Sequence, residues 1–140
     1  MKDIYGEDKL KDAFQLTAYM FETVYVENLG NGNFKVVKLP NSVQTGPTLS
    51  LITKDINEDG NLDVMGIGAI YDAEVETIRY DSNYGYVLLG DGKGGFVLSD
   101  DHDPFIDSDS KAITSINING TDYYMVVSNN APLDVFTFSP

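Results

Sequence analysis

The chain repeats itself, and the repeat unit restricts its fold more than any other feature. Val24-Tyr-Val-Glu-Asn-Leu-Gly30-Asn-Gly32-Asn-Phe34-Lys-Val36 aligns with Tyr86-Val-Leu-Leu-Gly-Asp-Gly92-Lys-Gly94-Gly-Phe96-Val-Leu98, an offset of 62 residues. Both segments read as strand, glycine-rich turn, aromatic residue, strand. Gly30 with Gly32, and Gly92 with Gly94, offer the positive backbone angles that a tight hairpin demands. Phe34 and Phe96 are then the residues that anchor each hairpin in a core. A unit of this length, made of short strands and glycine turns, points to blades of a β-propeller, each a four-stranded sheet.

The expected fold is therefore all-β, with β-propeller-type blades in one domain or module spanning 1–140. A partial blade occupies 21–39, with strands at 21–28 and 34–39. A complete blade occupies 48–99, with strands at 48–54, 62–70, 84–90 and 95–99. A second partial blade occupies 111–138, with strands at 111–118, 122–128 and 133–138. Ahead of them, apolar spacings of three and four through Glu7–Thr17 predict a short N-terminal helix. Tyr71 to Asn83 reads as a polar insertion inside the complete blade, and Asp100 to Ser110 as an acidic loop between blades.

The first two strands of the complete blade are joined by Asp55-Ile-Asn57-Glu-Asp59-Gly60-Asn61-Leu-Asp63. Oxygen-bearing side chains stand at loop positions 1, 3, 5 and 9, with glycine at position 6. Hard cations such as calcium take six to eight oxygen ligands, and alternate residues of a tight loop can all face one centre. The spacing matches the first half of an EF-hand loop. Position 12, however, is Gly66, and the flanking segments are short, apolar and strand-like rather than helical. The loop thus reads as a calcium site between two β-strands, with Asp63 in place of the missing glutamate. The competing reading is an Asx-rich turn whose carboxylates face water. Against it stands the repulsion of acidic side chains packed into nine residues with no cation to neutralise them. Carried forward by the repeat offset, Asp55 maps to Asn117 and Asn57 to Asn119, within a shorter segment that lacks counterparts of Asp59 and Asp63. The second copy looks like the same hairpin with its metal site decayed.

Charge narrows the partners. With 22 acidic against 9 basic residues the net charge is -13, which disfavours nucleic acid and anionic membrane surfaces. There is no cysteine, so disulfides and zinc-thiolate sites are excluded. No apolar run approaches the roughly 20 residues of a membrane span, and Met1–Leu10 is too charged for a signal peptide.

Catalytic motifs are scarce. His102 is the only histidine, and Asp101 or Asp103 could orient it as a general base, but a solvated acidic loop ending at Pro104 is the simpler reading. Gly90-Asp-Gly92-Lys-Gly94-Gly resembles a phosphate-cradling loop but leads into a strand, so a hairpin is expected. Arg79, Tyr80, Asp81 and Tyr84 on the insertion could hold a sugar or peptide with aromatic rings and an ion pair. The alternative is an Arg79–Asp81 pair that fixes the insertion to its own blade.

Thr53-Lys-Asp-Ile-Asn-Glu-Asp-Gly-Asn-Leu-Asp-Val64 resembles the FG-GAP or VCBS repeat of integrin-α-like propellers. Glu76 to Phe96, and the tail Tyr124 to Phe136, resemble the closing repeats of bacterial proteins similar to cartilage acidic protein (the ASPIC/UnbV group). The resemblance covers roughly residues 7 to 138. It implies a secreted, periplasmic or cell-surface propeller that binds protein or glycan ligands and catalyses nothing. It also implies calcium held by the side chains of Asp55, Asn57, Asp59 and Asp63 and the backbone carbonyl of Asn61. The chain departs from the family in blade number: a ring needs about four to eight blades, and only one full and two partial blades are present. Such an array exposes sheet edges and apolar faces, so self-association or completion by further blades is expected. Two other functions stay open: an accessory or catalytic domain of a carbohydrate-active enzyme, and a purely structural assembly unit.

Overall fold

Nine strands fall into three antiparallel sheets of two, four and three strands in a computed structural model that describes residues 2–138. The first sheet pairs β1 (Val24–Gly30) with β2 (Asn33–Lys38). The second runs in the order β3 (Ser50–Lys54), β4 (Asp63–Ile67), β5 (Tyr86–Gly90), β6 (Phe96–Leu98). The third runs β7 (Ser110–Ile118), β8 (Thr121–Ser128), β9 (Asp134–Phe136). The chain is thus all-β in character, with each sheet a meander of sequential strands. Among the described residues no sheet closes on itself.

Alternation explains why the second sheet lies in the middle. Successive side chains of a strand point to opposite faces. Val87 and Leu89 of β5 join Met65, Ile67 and Ile52 on the face toward the third sheet, where they meet Ile113, Tyr124 and Val126. Tyr86 and Leu88 point the other way, into a second cluster with Val43, Val64, Phe96 and Leu98. With both faces covered, β4 and β5 are the two most buried strands of their sheet. The first sheet reaches this second cluster through Tyr25, whose ring meets Phe96 edge-on at 5.3 Å. A 3-10 turn at Asn41–Gln44 carries Val43 into the same cluster, and the Gln44 amide bonds the backbone of Thr23 and Leu39.

Polar ties join the second and third sheets. The Ile113 N–H donates to Ser50 Oγ at 3.2 Å, and Lys54 pairs with Asp122. Lys111 Nζ donates to Ala69 O at 2.7 Å and to Asp109 at 2.6 Å. Burial alone would raise the Asp109 pKa; the Lys111 ammonium and the Tyr71 N–H outweigh it and hold the carboxyl below its ordinary value.

Two expectations need correction. The N-terminal helix expected across Glu7–Thr17 is limited to α1 (Lys2–Tyr5) and α2 (Glu7–Leu10). From Phe14 the apolar residues Phe14, Leu16, Ala18 and Met20 fall at every second position, which is a strand period and not a helical one. Strand limits also differ by a few residues, as at 21–28, where the strand is Val24–Gly30, and at 62–70, where pairing ends at Ile67. There Gly68 lies so close to the Pro47 carbonyl that a Cβ would not fit.

Candidate functional site

The acidic loop leaves β3 after Lys54 and returns at Asp63, and it is organised around its first residue. Both Asp55 carboxylate oxygens accept backbone bonds, from the Asp59 N–H at 3.1 Å and the Gly60 N–H at 2.9 Å. Asn57 Oδ1 accepts from the Asp59 N–H at 3.2 Å, and Asp59 Oδ1 from the Asn61 N–H at 2.8 Å. The winding needs two left-handed residues, Glu58 at φ 60° and Gly60 at φ 89°. Only the second is a glycine, and it marks the sharp turn that position 6 of such a loop requires. The Asn61 N–H, then the Asn57 amide, hold the Asp59 carboxyl below its ordinary pKa.

Asp63 is set apart from the other four. It is fully buried, and its two oxygens accept the N–H groups of Ile56 at 2.8 Å and Gly90 at 2.9 Å. It therefore stitches the loop's beginning to β5. Gly90 permits this: a Cβ at that position would strike the Leu62 carbonyl. Asn61 leans over the β5–β6 turn, where its Oδ1 fills the space of a side chain at Gly92.

As a donor set these residues fit a hard cation. All five offer oxygen, none offers sulfur or imidazole, and each carboxylate retains lone pairs beyond those its N–H partners use. Among the described residues, no three carboxylate or histidine groups are drawn together at metal-ligating distance. Instead the Asn57 Nδ2 donates to Asp59 Oδ2 at 3.1 Å, so an amide rather than a cation faces that oxygen.

The position that the repeat offset equates with this loop is a plain turn. Asn119 (φ 54°) and Gly120 (φ 90°) alone join β7 to β8, the two positive angles of a tight hairpin. Asn117 accepts the Gly120 N–H and donates to Asp122.

A cleft of about 510 Å³ opens between the acidic loop and this turn. Asp55, Glu58 and Asp122 supply its acidic wall, and Tyr124, Phe138 and His102 its aromatic one. Asp122 sits below its ordinary pKa because of Lys54 first and Asn117 second. Burial, then the charges of Asp122 and Asp63, push the Tyr124 hydroxyl up. His102 Nδ1 shares a 2.9 Å hydrogen bond with Ser99 Oγ, and its ring meets Phe138 edge-on. Asp103, one of the two carboxylates that a general-base reading would need to orient it, accepts the Phe105 N–H.

The insertion residues are spread apart. Arg79 lies over the Tyr71 ring at 4.6 Å, and among the described residues no ion pair joins it to Asp81. Tyr80 exchanges two backbone bonds with Ile70, and Tyr84 stacks on Phe105. Sequence reasoning overlooked Lys54, Asp122, Tyr124 and Phe138 as neighbours of the loop. The one available signal was the repeat itself, which aligns the two hairpin ends.

No protein-family model, no curated protein and no solved structure matches this chain. Among the described residues no helix is long and apolar enough to cross a membrane.

Proposed function

We propose that this chain is a non-catalytic, calcium-binding module of propeller-type blades, related to the FG-GAP/VCBS repeats, that binds protein or glycan ligands outside the cell. The observation that carries the reading is the loop Asp55–Asp63. It places six oxygen-bearing side chains within nine residues, joining two strands whose repeat counterparts need only a two-residue turn. Asp55, Asn57, Asp59 and Asp63 would supply side-chain oxygens and Asn61 its carbonyl. A bound calcium neutralises the loop's carboxylates and adds its binding energy to the stability of the fold. Low-affinity oxygen loops suit compartments rich in calcium. The adjoining cleft, walled by carboxylates and aromatic rings, gives such a module a place to hold a ligand.

Titration calorimetry with calcium chloride tests the metal. One ion per chain is expected, with binding lost in Asp59→Ala. No heat above dilution in the parent chain would refute the proposal.

A further inference from the structure

The second sheet packs on the third through a shared core and touches the first through Tyr25 on Phe96, and the two faces left free match the covered ones in residue type and register. On the second sheet, Leu88, Phe96 and Leu98 form the face that packs with Val43 and Leu39 and that Tyr25 of the first sheet meets at Phe96. Standing 62 residues earlier, on the first sheet, are Val26, Phe34 and Val36. The strand registers agree: Val26 pairs with Val36 as Leu88 pairs with Leu98, and Asn28 with Phe34 as Gly90 with Phe96. Yet Val26, Phe34 and Val36 are 50%, 62% and 52% exposed.

The other end behaves alike. Across the second sheet, the paired row Ile52, Met65, Val87 faces the third sheet. The same row of the third sheet is Thr114, Met125, Val135, paired in the same order. It lies on the face opposite the buried Tyr124 and Val126, where Val127 and Val135 are 51% and 54% exposed.

One end of the stack thus presents the kind of face that receives a sheet, and the other the kind that is received. We infer that chains associate head to tail, the outer face of β7–β9 in one copy packing on the outer face of β1–β2 in the next. The contact is heterologous, so each copy keeps one free face until a ring closes. A second copy is the occupant because the contact repeats, row for row, the packing of the second sheet on the third, and follows the direction of the Tyr25 contact on Phe96. Salt favours it by screening the like charge of an acidic protein. The inference does not use the acidic loop. Its readout is mass, whereas the loop's is the heat of calcium binding, so either can fail alone.

Sedimentation of the full chain over a wide concentration range, at physiological salt, tests it. The parent chain is expected to grow heavier than a monomer with concentration. Val36→Glu removes one face and Val127→Glu the other; both side chains are half exposed, and circular dichroism checks that each variant folds. Each variant alone should stay monomeric, and an equimolar mixture should form a dimer and nothing larger. A parent chain that is monomeric throughout would overturn the inference and leave these faces to a different polypeptide. So would a single variant that still self-associates, or a mixture that stays monomeric.

Discussion

Two connections at matching places in the repeat differ in almost everything but position. β7 reaches β8 through Asn119 and Gly120 alone, whereas β3 reaches β4 through residues 55–62. The short turn is enough to pair two strands, so the topology of the sheet does not require the long one. What the long connection adds is a set of carboxylates and amides, a buried aspartate beneath them, and one wall of a cleft. The comparison separates what the fold needs from what the loop contributes: extra residues and extra charge are kept where the next repeat has a simpler solution.

The sharpest way to break this comparison is at Asp63. Asp63→Ala leaves the N–H groups of Ile56 and Gly90 without acceptors. At about 1–3 kcal/mol for each buried donor left unmade, the loss is roughly 2–6 kcal/mol in urea unfolding. The ladder counterpart of Asp63 on the third sheet is Tyr123, which is half-buried and stands opposite Ile116. Tyr123→Ala should cost only about 1 kcal/mol, the scale of a cross-strand pair. Equal costs would show that Asp63 is not a stitch.

Next in size is calcium itself. At one hundred times its dissociation constant, a ligand that binds only the folded state adds about 2.7 kcal/mol. A third prediction concerns pH. The folded pKa of Asp109 is lowered, so its contribution is complete above the ordinary carboxylate value and is lost as pH falls through the folded one. The melting temperature of the parent chain should fall on that acid side more steeply than that of Asp109→Asn, and parallel curves would remove Asp109 from the account. A smaller effect than those of Asp63 and calcium lies in the short turn. Asn119→Ala places a residue without a side-chain hydrogen-bonding group at φ 54° and should cost about 1–2 kcal/mol. Its calcium response, by contrast, should match the parent's.

Much of the fold was legible because it rests on local chemistry. Alternation and paired glycines at Gly30/Gly32 and Gly92/Gly94 mark hairpins without reference to the rest of the chain, and the groups of two, four and three strands follow. The helix was misjudged because three- and four-residue spacings around Leu10 run on into the alternating Phe14–Met20. In the loop, residue types and spacing identified an oxygen-rich turn, but not that Asp63 faces inward. That depends on Gly90, whose N–H arrives from 27 residues away. Arg79 likewise looked like a partner for Asp81, two residues on, and finds the Tyr71 ring across the insertion instead.

The most direct test of the calcium loop is the melting temperature of the full chain with saturating calcium and with chelator, for the parent and for Asp59→Ala. A rise of about ten degrees in the parent, the scale that 2.7 kcal/mol gives for a domain of this size, and none in the variant, is the predicted result. Identical melting temperatures with and without calcium in the parent chain would contradict it.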